Sequence, residues 1–194
     1  PADFSNLSGT ALEVDTGTLT ITEANNLSAA TTAAVTATLT TDSLADFNSG
    51  LSSDSNPSGG NAYTLTLSDS SVDAGDLASL DAKVSGSGIN LTNVRTLTGT
   101  FAEVQQFITD KDNFDNNDHV VDVTLSGTIG DAAAVDTLST NLRALQDGND
   151  AEINLTNITA ISGSFTEIKA IIDGKGNVGS NSKFSGVGAQ ALTV

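Results

Sequence analysis

Apolar residues recur at i, i+3 and i+7 in five places: Leu44/Phe47/Leu51, Leu77/Leu80/Val84, Phe101/Val104/Ile108, Val135/Leu138/Leu142 and Phe165/Ile168/Ile172. That spacing puts three side chains on one face of a short helix, so five helices are predicted. Ahead of the helices, apolar and polar residues alternate: Val35-Ala37-Leu39, Tyr63-Leu65-Leu67, Ile89-Leu91, Val121-Val123-Leu125 and Ile153-Leu155. Period two predicts strands with one buried face. In four units the last strand residue and the first helix residue stand ten apart: Leu67 and Leu77, Leu91 and Phe101, Leu125 and Val135, Leu155 and Phe165. A constant phase between strand and helix predicts one repeated strand–helix unit.

The helix starts agree. Thr100-x-x-Glu103 and Ser164-x-x-Glu167 have the form of capping boxes, in which the hydroxyl accepts from a helix-start amide and the Glu reaches back to the cap amide. Ser43-x-x-Asp46 is a weaker version. Stretches rich in Gly, Asn and Asp (residues 52–61, 110–118, 147–150 and 173–182) are expected as loops.

A longer repeat lies over these units. Ile89-Asn90-Leu91-Thr92-Asn93 returns as Ile153-Asn154-Leu155-Thr156-Asn157, and Leu97–Val104 parallels Ile161–Ile168. Ile108, Lys111 and Asn113 then match Ile172, Lys175 and Asn177. The predicted fold is an α/β solenoid of tandem strand–helix repeats with a parallel sheet. Its units run roughly over residues 1–17, 18–34, 35–62, 63–88, 89–119, 120–152 and 153–182, with 183–194 starting the next. The alternative is a compact α/β sandwich with a mixed sheet. In the solenoid, Phe101 and Phe165 are expected to be buried at equivalent helix positions.

Composition narrows the function. Lys and Arg number 7 against 24 Asp and Glu, a formal net charge of −17, which repels phosphate backbones and argues against nucleic acid as a partner. With no Cys, disulfides and thiolate chemistry are excluded. No apolar run approaches the roughly 20 residues that span a bilayer, so membrane insertion is not expected. The chain starts at Pro1 and has no Met, which suggests an excised or processed piece, and no signal peptide is visible.

Segments such as Tyr63-Thr-Leu-Thr-Leu67, Asp76–Lys83 and Thr96–Val104 resemble repeats in very large cell-surface proteins of marine cyanobacteria, among them giant surface proteins associated with non-flagellar swimming. The resemblance covers most of residues 18–173 and rests on a degenerate Thr/Gly/Asp-rich pattern. It implies a secreted, surface-attached array with a structural or adhesive role and no catalytic residues. Its partners would be neighbouring repeats of the same chain.

The candidate chemistry is sparse. His119 is the single His, without a second imidazole for a metal or a triad partner in its motif. Asp110, Asp112, Asp115 and Asp118 form the densest acidic loop and offer the oxygen ligands that Ca²⁺ takes, although Phe114 occupies a ligand slot of the EF-hand spacing. Calcium is the one cofactor the sequence suggests, and a cation- or glycan-binding surface module is the alternative function. Asp147-Gly-Asn-Asp150 reads as a turn. Asn6, Asn26, Asn90, Asn154 and Asn157 head Asn-x-Ser/Thr sequons, and the equivalence of Asn90 and Asn154 suggests a structural task. Rows of alternating Thr (Thr18/Thr20/Thr22, Thr36/Thr38/Thr40, Thr64/Thr66) suggest an ice-binding solenoid as a second alternative, against the simpler reading of Thr as a β-branched strand former.

Overall fold

The computed structural model describes residues 7–52, 60–85, 88–120, 122–145, 152–174, 184–188 and 190–194. The chain is α/β. It divides into two compact units, one of Pro1–Asp69, Asp76–Asn93 and Asp112–Asn116, the other of Ser70–Gly75, Val94–Lys111 and Asn117–Val194.

The first unit holds a five-stranded parallel sheet. Its strands are β1 (Leu12–Glu13), β2 (Val35–Thr38), β3 (Ala62–Thr66), β5 (Ile89–Asn90) and β7 (Phe114–Asp115), in that spatial order. Helices α1 (Ile21–Ala30), α2 (Leu44–Gly50) and most of α3 (Ala74–Asp81) belong with it. The second unit holds β4 (Ser71–Asp73), β6 (Thr96–Thr100), β8 (Asp122–Ile129), β9 (Glu152–Ser162) and β10 (Phe184–Ser185) in one sheet of order β10-β9-β8-β6-β4. Strand β11 (Ala191–Thr193) also pairs with β9. Its helices are α4 (Phe101–Thr109), α5 (Ala132–Leu145) and α6 (Phe165–Gly174).

Every ladder among the described residues is parallel, with partners a short and similar stretch of chain apart: Leu12 with Val35, Leu65 with Ile89, Ile89 with Phe114, Thr96 with Asp122, Ile153 with Phe184. Among the described residues neither sheet is mixed, and the α/β class holds for the solenoid and the compact arrangement alike. From β3 onward the chain alternates between sheets: β3, β4, α3; then β5, β6, α4; then β7, β8, α5. The sequence pattern showed one strand per helix; the units of α3, α4 and α5 have two. The overlooked strands β4, β6 and β7 carry Val72, Leu97 and Phe114, all buried.

The predicted strand residues behave as the alternation requires. Val35, Ala37, Tyr63, Leu65, Ile89, Val123, Leu125, Ile153 and Leu155 are buried, while Thr36, Thr38 and Thr64 between them are exposed. Each large apolar side chain so removed from water contributes about 1.5–3 kcal/mol. Two polar side chains tie neighbouring segments together. Asn61, expected at a loop end, is buried; its side-chain oxygen accepts from the Val35 amide (3.0 Å) and its nitrogen donates to the Ser28 hydroxyl (2.9 Å). Lys83 donates to the carbonyls of Asn48 and of Leu51 (3.2 Å), closing the C-terminal end of α2 where bare carbonyls favour a cation.

Helix phase corrects one expectation. In α2, α3 and α5 the buried pairs are Leu44/Phe47, Leu77/Leu80 and Val135/Leu138, as predicted. In α4 and α6 they are Val104/Phe107 and Ile168/Ile171, whereas Phe101 is half-buried and Phe165 is 68% exposed. The two Phe do occupy the same place, the first helical residue, but that place lies on the flank of the helix. The ten-residue phase survives three residues later, from buried Val94 to Val104 and from buried Ile158 to Ile168.

The caps form as expected, with one addition. The Thr100 hydroxyl accepts from the Glu103 amide while Glu103 accepts from the Thr100 amide at 2.7 Å, and Ser164 and Glu167 exchange the same pair of bonds. Thr20 and Glu23 build a third box, which starts α1. Thr20 and Thr22 are therefore a cap and a helix residue, and no Thr row runs through them.

Candidate functional site

The acidic loop is structured, not an open chelating loop. Asp110 is the C-cap of α4, with its carboxylate accepting from the Gln106 side-chain amide at 2.7 Å. Asp112 lies in a 3-10 turn (Lys111–Asn113), Asp115 in β7 and Asp118 in a second 3-10 turn (Asn117–His119). Phe114 is buried in register with Ile89, because the segment between the turns is an inward-facing strand. Asp112 and Asp115 belong to the first compact unit, and Asp110 and Asp118 to the second. Among the described residues, no three His, Asp or Glu side chains are grouped as a metal ion needs. Asp147 and Asp150, Lys175, Asn177, and the sequon at Asn6 lie outside the described residues.

His119 is half-buried at the end of the second 3-10 turn, and its carbonyl accepts from Arg95 at 3.5 Å. The sequon residues serve the backbone: Asn90 and Asn154 each accept from the amide of the Thr two residues on, both at 2.9 Å. These matching turns are the structural task that their equivalence in the repeat suggested. Paired threonines occur as Thr38 with Thr64 and Thr98 with Thr124. Neighbouring strands put Asn90 beside Thr66, Asp122 beside Thr96 and Asn154 beside Thr124. A broad Thr lattice of the kind that ice binding uses is not built from these ladders.

Sequence reasoning missed a pair of carboxylates that face each other in a ladder. Asp122 on β8 stands in register with Glu152 on β9. Its pKa is raised, first by partial loss of hydration and then by the Glu152 charge. The signal was hidden because register, not sequence spacing, brings the two together.

A groove of about 350 Å³ lies between α4 and α5, lined by Phe101, Gln105 and Ile108 on one side and Ala134, Thr137 and Leu138 on the other. Asp131 at its edge is committed to capping α5, accepting from the Ala133 amide at 2.9 Å. The groove thus offers shape and apolar surface, and its one carboxylate is already engaged. No family model matches this chain, and no curated protein or solved structure matches it either.

Proposed function

We propose that this chain is a structural or adhesive, non-catalytic segment of an extracellular or cell-surface protein, a solenoid of stacked strand–helix units. One observation carries the reading: all-parallel ladders whose strands keep one polar face. A parallel sheet covered by helices on both sides selects continuous apolar strands. Here Thr36, Thr38 and Thr64 alternate with buried Val35, Ala37 and Tyr63. Stacked units account for this, because each contributes one strand edge to the next and leaves one sheet face wet. The resemblance to giant surface-protein repeats supports the extracellular setting. The charge of −17 disfavours nucleic acid and leaves cations or surface glycans as outside partners. No described helix is long and apolar enough to cross a membrane.

Pulling on the two ends of single molecules tests the reading. Ladder partners stand from 35 − 12 = 23 to 184 − 153 = 31 residues apart, so units released one at a time lengthen the chain in steps of roughly 80–105 Å at about 3.4 Å per residue. One large release of the whole chain would refute stacking and favour a compact α/β domain.

A further inference from the structure

Resting on the stacked-unit reading above, we propose that α6 and β11 form a docking surface for one more helix–strand segment of the same pattern, an acidic amphipathic helix leading into an alternating strand. The large apolar side chains exposed among the described residues are Phe165, Ile172, Leu192 and Val194, and all of them belong to this end of the second compact unit. Ile172 and Leu192 border one open cavity of about 140 Å³, together with Val187, Gly188 and Gln190.

The interior of the same sheet shows what covers such positions. Ile129 pairs with Ile161, and Ile161 with Leu192, so the three stand side by side. Ile129 is 3% and Ile161 0% exposed, whereas Leu192 is 45% exposed. What differs is the helix that comes next. β8 leads into α5 and β9 into α6, and α5 lies between α4 and α6 and against β9. β11 is the last element among the described residues. The helix flanks agree. Phe101 and Ile108 of α4 are half-buried in the groove that α5 closes. Phe165 and Ile172 take the same places in α6 by the sequence repeat and stay open. One helix placed beside α6 as α5 is beside α4 would cover that flank and Leu192 together. The strand after it has an edge to join, since β11 pairs with β9 and, among the described residues, no strand pairs with its other side. Helix and strand would then dock as α5 and β9 do on α4 and β8.

Charge admits this partner. Residues 153–194 carry Lys169, Lys175 and Lys183 against Glu167 and Asp173, a balance of 3 − 2 = +1 within a chain of −17. The α5–β9 segment, the internal example of the occupant, holds Asp131, Asp136, Asp147, Asp150 and Glu152 against Arg143. An acidic segment of this kind meets no net like charge at the α6–β11 end.

The chain has no Trp, so one introduced indole reports on the surface. Phe165→Trp is placed in the chain as it stands and in an extended chain in which Gly130–Ser162 follows Leu192 in place of Thr193 and Val194, the junction that the register sets. Phe101→Trp, beside α5, gives the covered reference, and circular dichroism verifies each fold. In the unextended chain the Phe165→Trp indole is expected to be quenched by acrylamide more strongly than the reference. In the extended chain its emission is expected to shift to the blue and its quenching to fall to that of the reference. A shuffled segment of the same composition at the same junction is expected to leave it open. An extended chain whose indole stays as quenched as before, or a shuffled segment that covers it equally well, would overturn the inference. So would an unextended chain whose emission shifts to the blue with rising concentration, because a second copy would then be the occupant. An extended chain that stays open at this end, yet still lengthens in unit-sized steps under force, would overturn the docking surface and leave the stacked-unit reading intact.

Discussion

Replacing Phe107 and Phe165 by alanine, one at a time, separates the structural core from the sequence pattern. Phe107 is 3% exposed on the inner face of α4, and Phe165 is 68% exposed on the flank of α6. Removing a buried Phe ring forfeits its transfer free energy and leaves a cavity that neighbours fill only in part, at a cost of about 3–5 kcal/mol. At Phe165 two thirds of the ring surface is already wet, and alanine improves helix propensity by up to about 0.5 kcal/mol, so the net change is expected within about 0.5 kcal/mol. Urea unfolding at high dilution, followed by circular dichroism, reads the difference. With a slope of about 1–3 kcal/mol/M, Phe107→Ala lowers the midpoint by about 1–5 M and Phe165→Ala leaves it nearly unmoved. Equal shifts, or a larger one at Phe165, would refute the helix phase described here.

Thr20→Ala, Thr100→Ala and Ser164→Ala are each expected to cost about 1 kcal/mol by removing a cap, measured as a shift in the urea midpoint. Lys83→Met keeps the apolar stem but strips the cation from the α2 carbonyls, for a loss of about 1–2 kcal/mol. Because its raised pKa lets Asp122 hold a proton in the folded chain that the unfolded chain releases, its contribution falls as pH rises from the unfolded value through the folded one. Asp122→Asn is therefore expected to raise the melting temperature at neutral pH and to flatten that part of the pH profile; an unchanged profile would contradict the Asp122–Glu152 pairing.

The first strand and the helix of most units were legible because their side chains follow periods of two and of about 3.6. Strands β4, β6 and β7 were not, although β8, second in its unit, was. β4 and β6 are short, and Gly99 and the threonines around Leu97 dilute their apolar signal. α1 buries only Ala24 among its own residues, so it has no apolar stripe to find. Its Thr20-x-x-Glu23 box has the same form as Thr100-x-x-Glu103 and would have revealed its start. The helix phase at Phe101 and Phe165 went astray because the largest side chains complete an i, i+3, i+7 series; the smaller Val104 and Ile168 mark the true face. For the candidate site, the acidic residues of 110–118 were visible, but their distribution over a cap, two 3-10 turns and a strand depends on the buried strand at Phe114. The Asp122–Glu152 pair depends on register alone.

The central claim, that the chain is a stack of interchangeable units, is tested most directly by adding one. Ile89 is register-paired with Phe114 and Thr96 with Asp122, so residues 89–113, holding β5, β6 and α4, can be duplicated in tandem with each new strand facing its usual partner. The stack predicts that the enlarged chain still unfolds cooperatively in urea, with a slope increased by roughly an eighth in proportion to the added surface. A duplicated chain that loses cooperative unfolding, or whose slope does not change while proteases cut the insert, would contradict it.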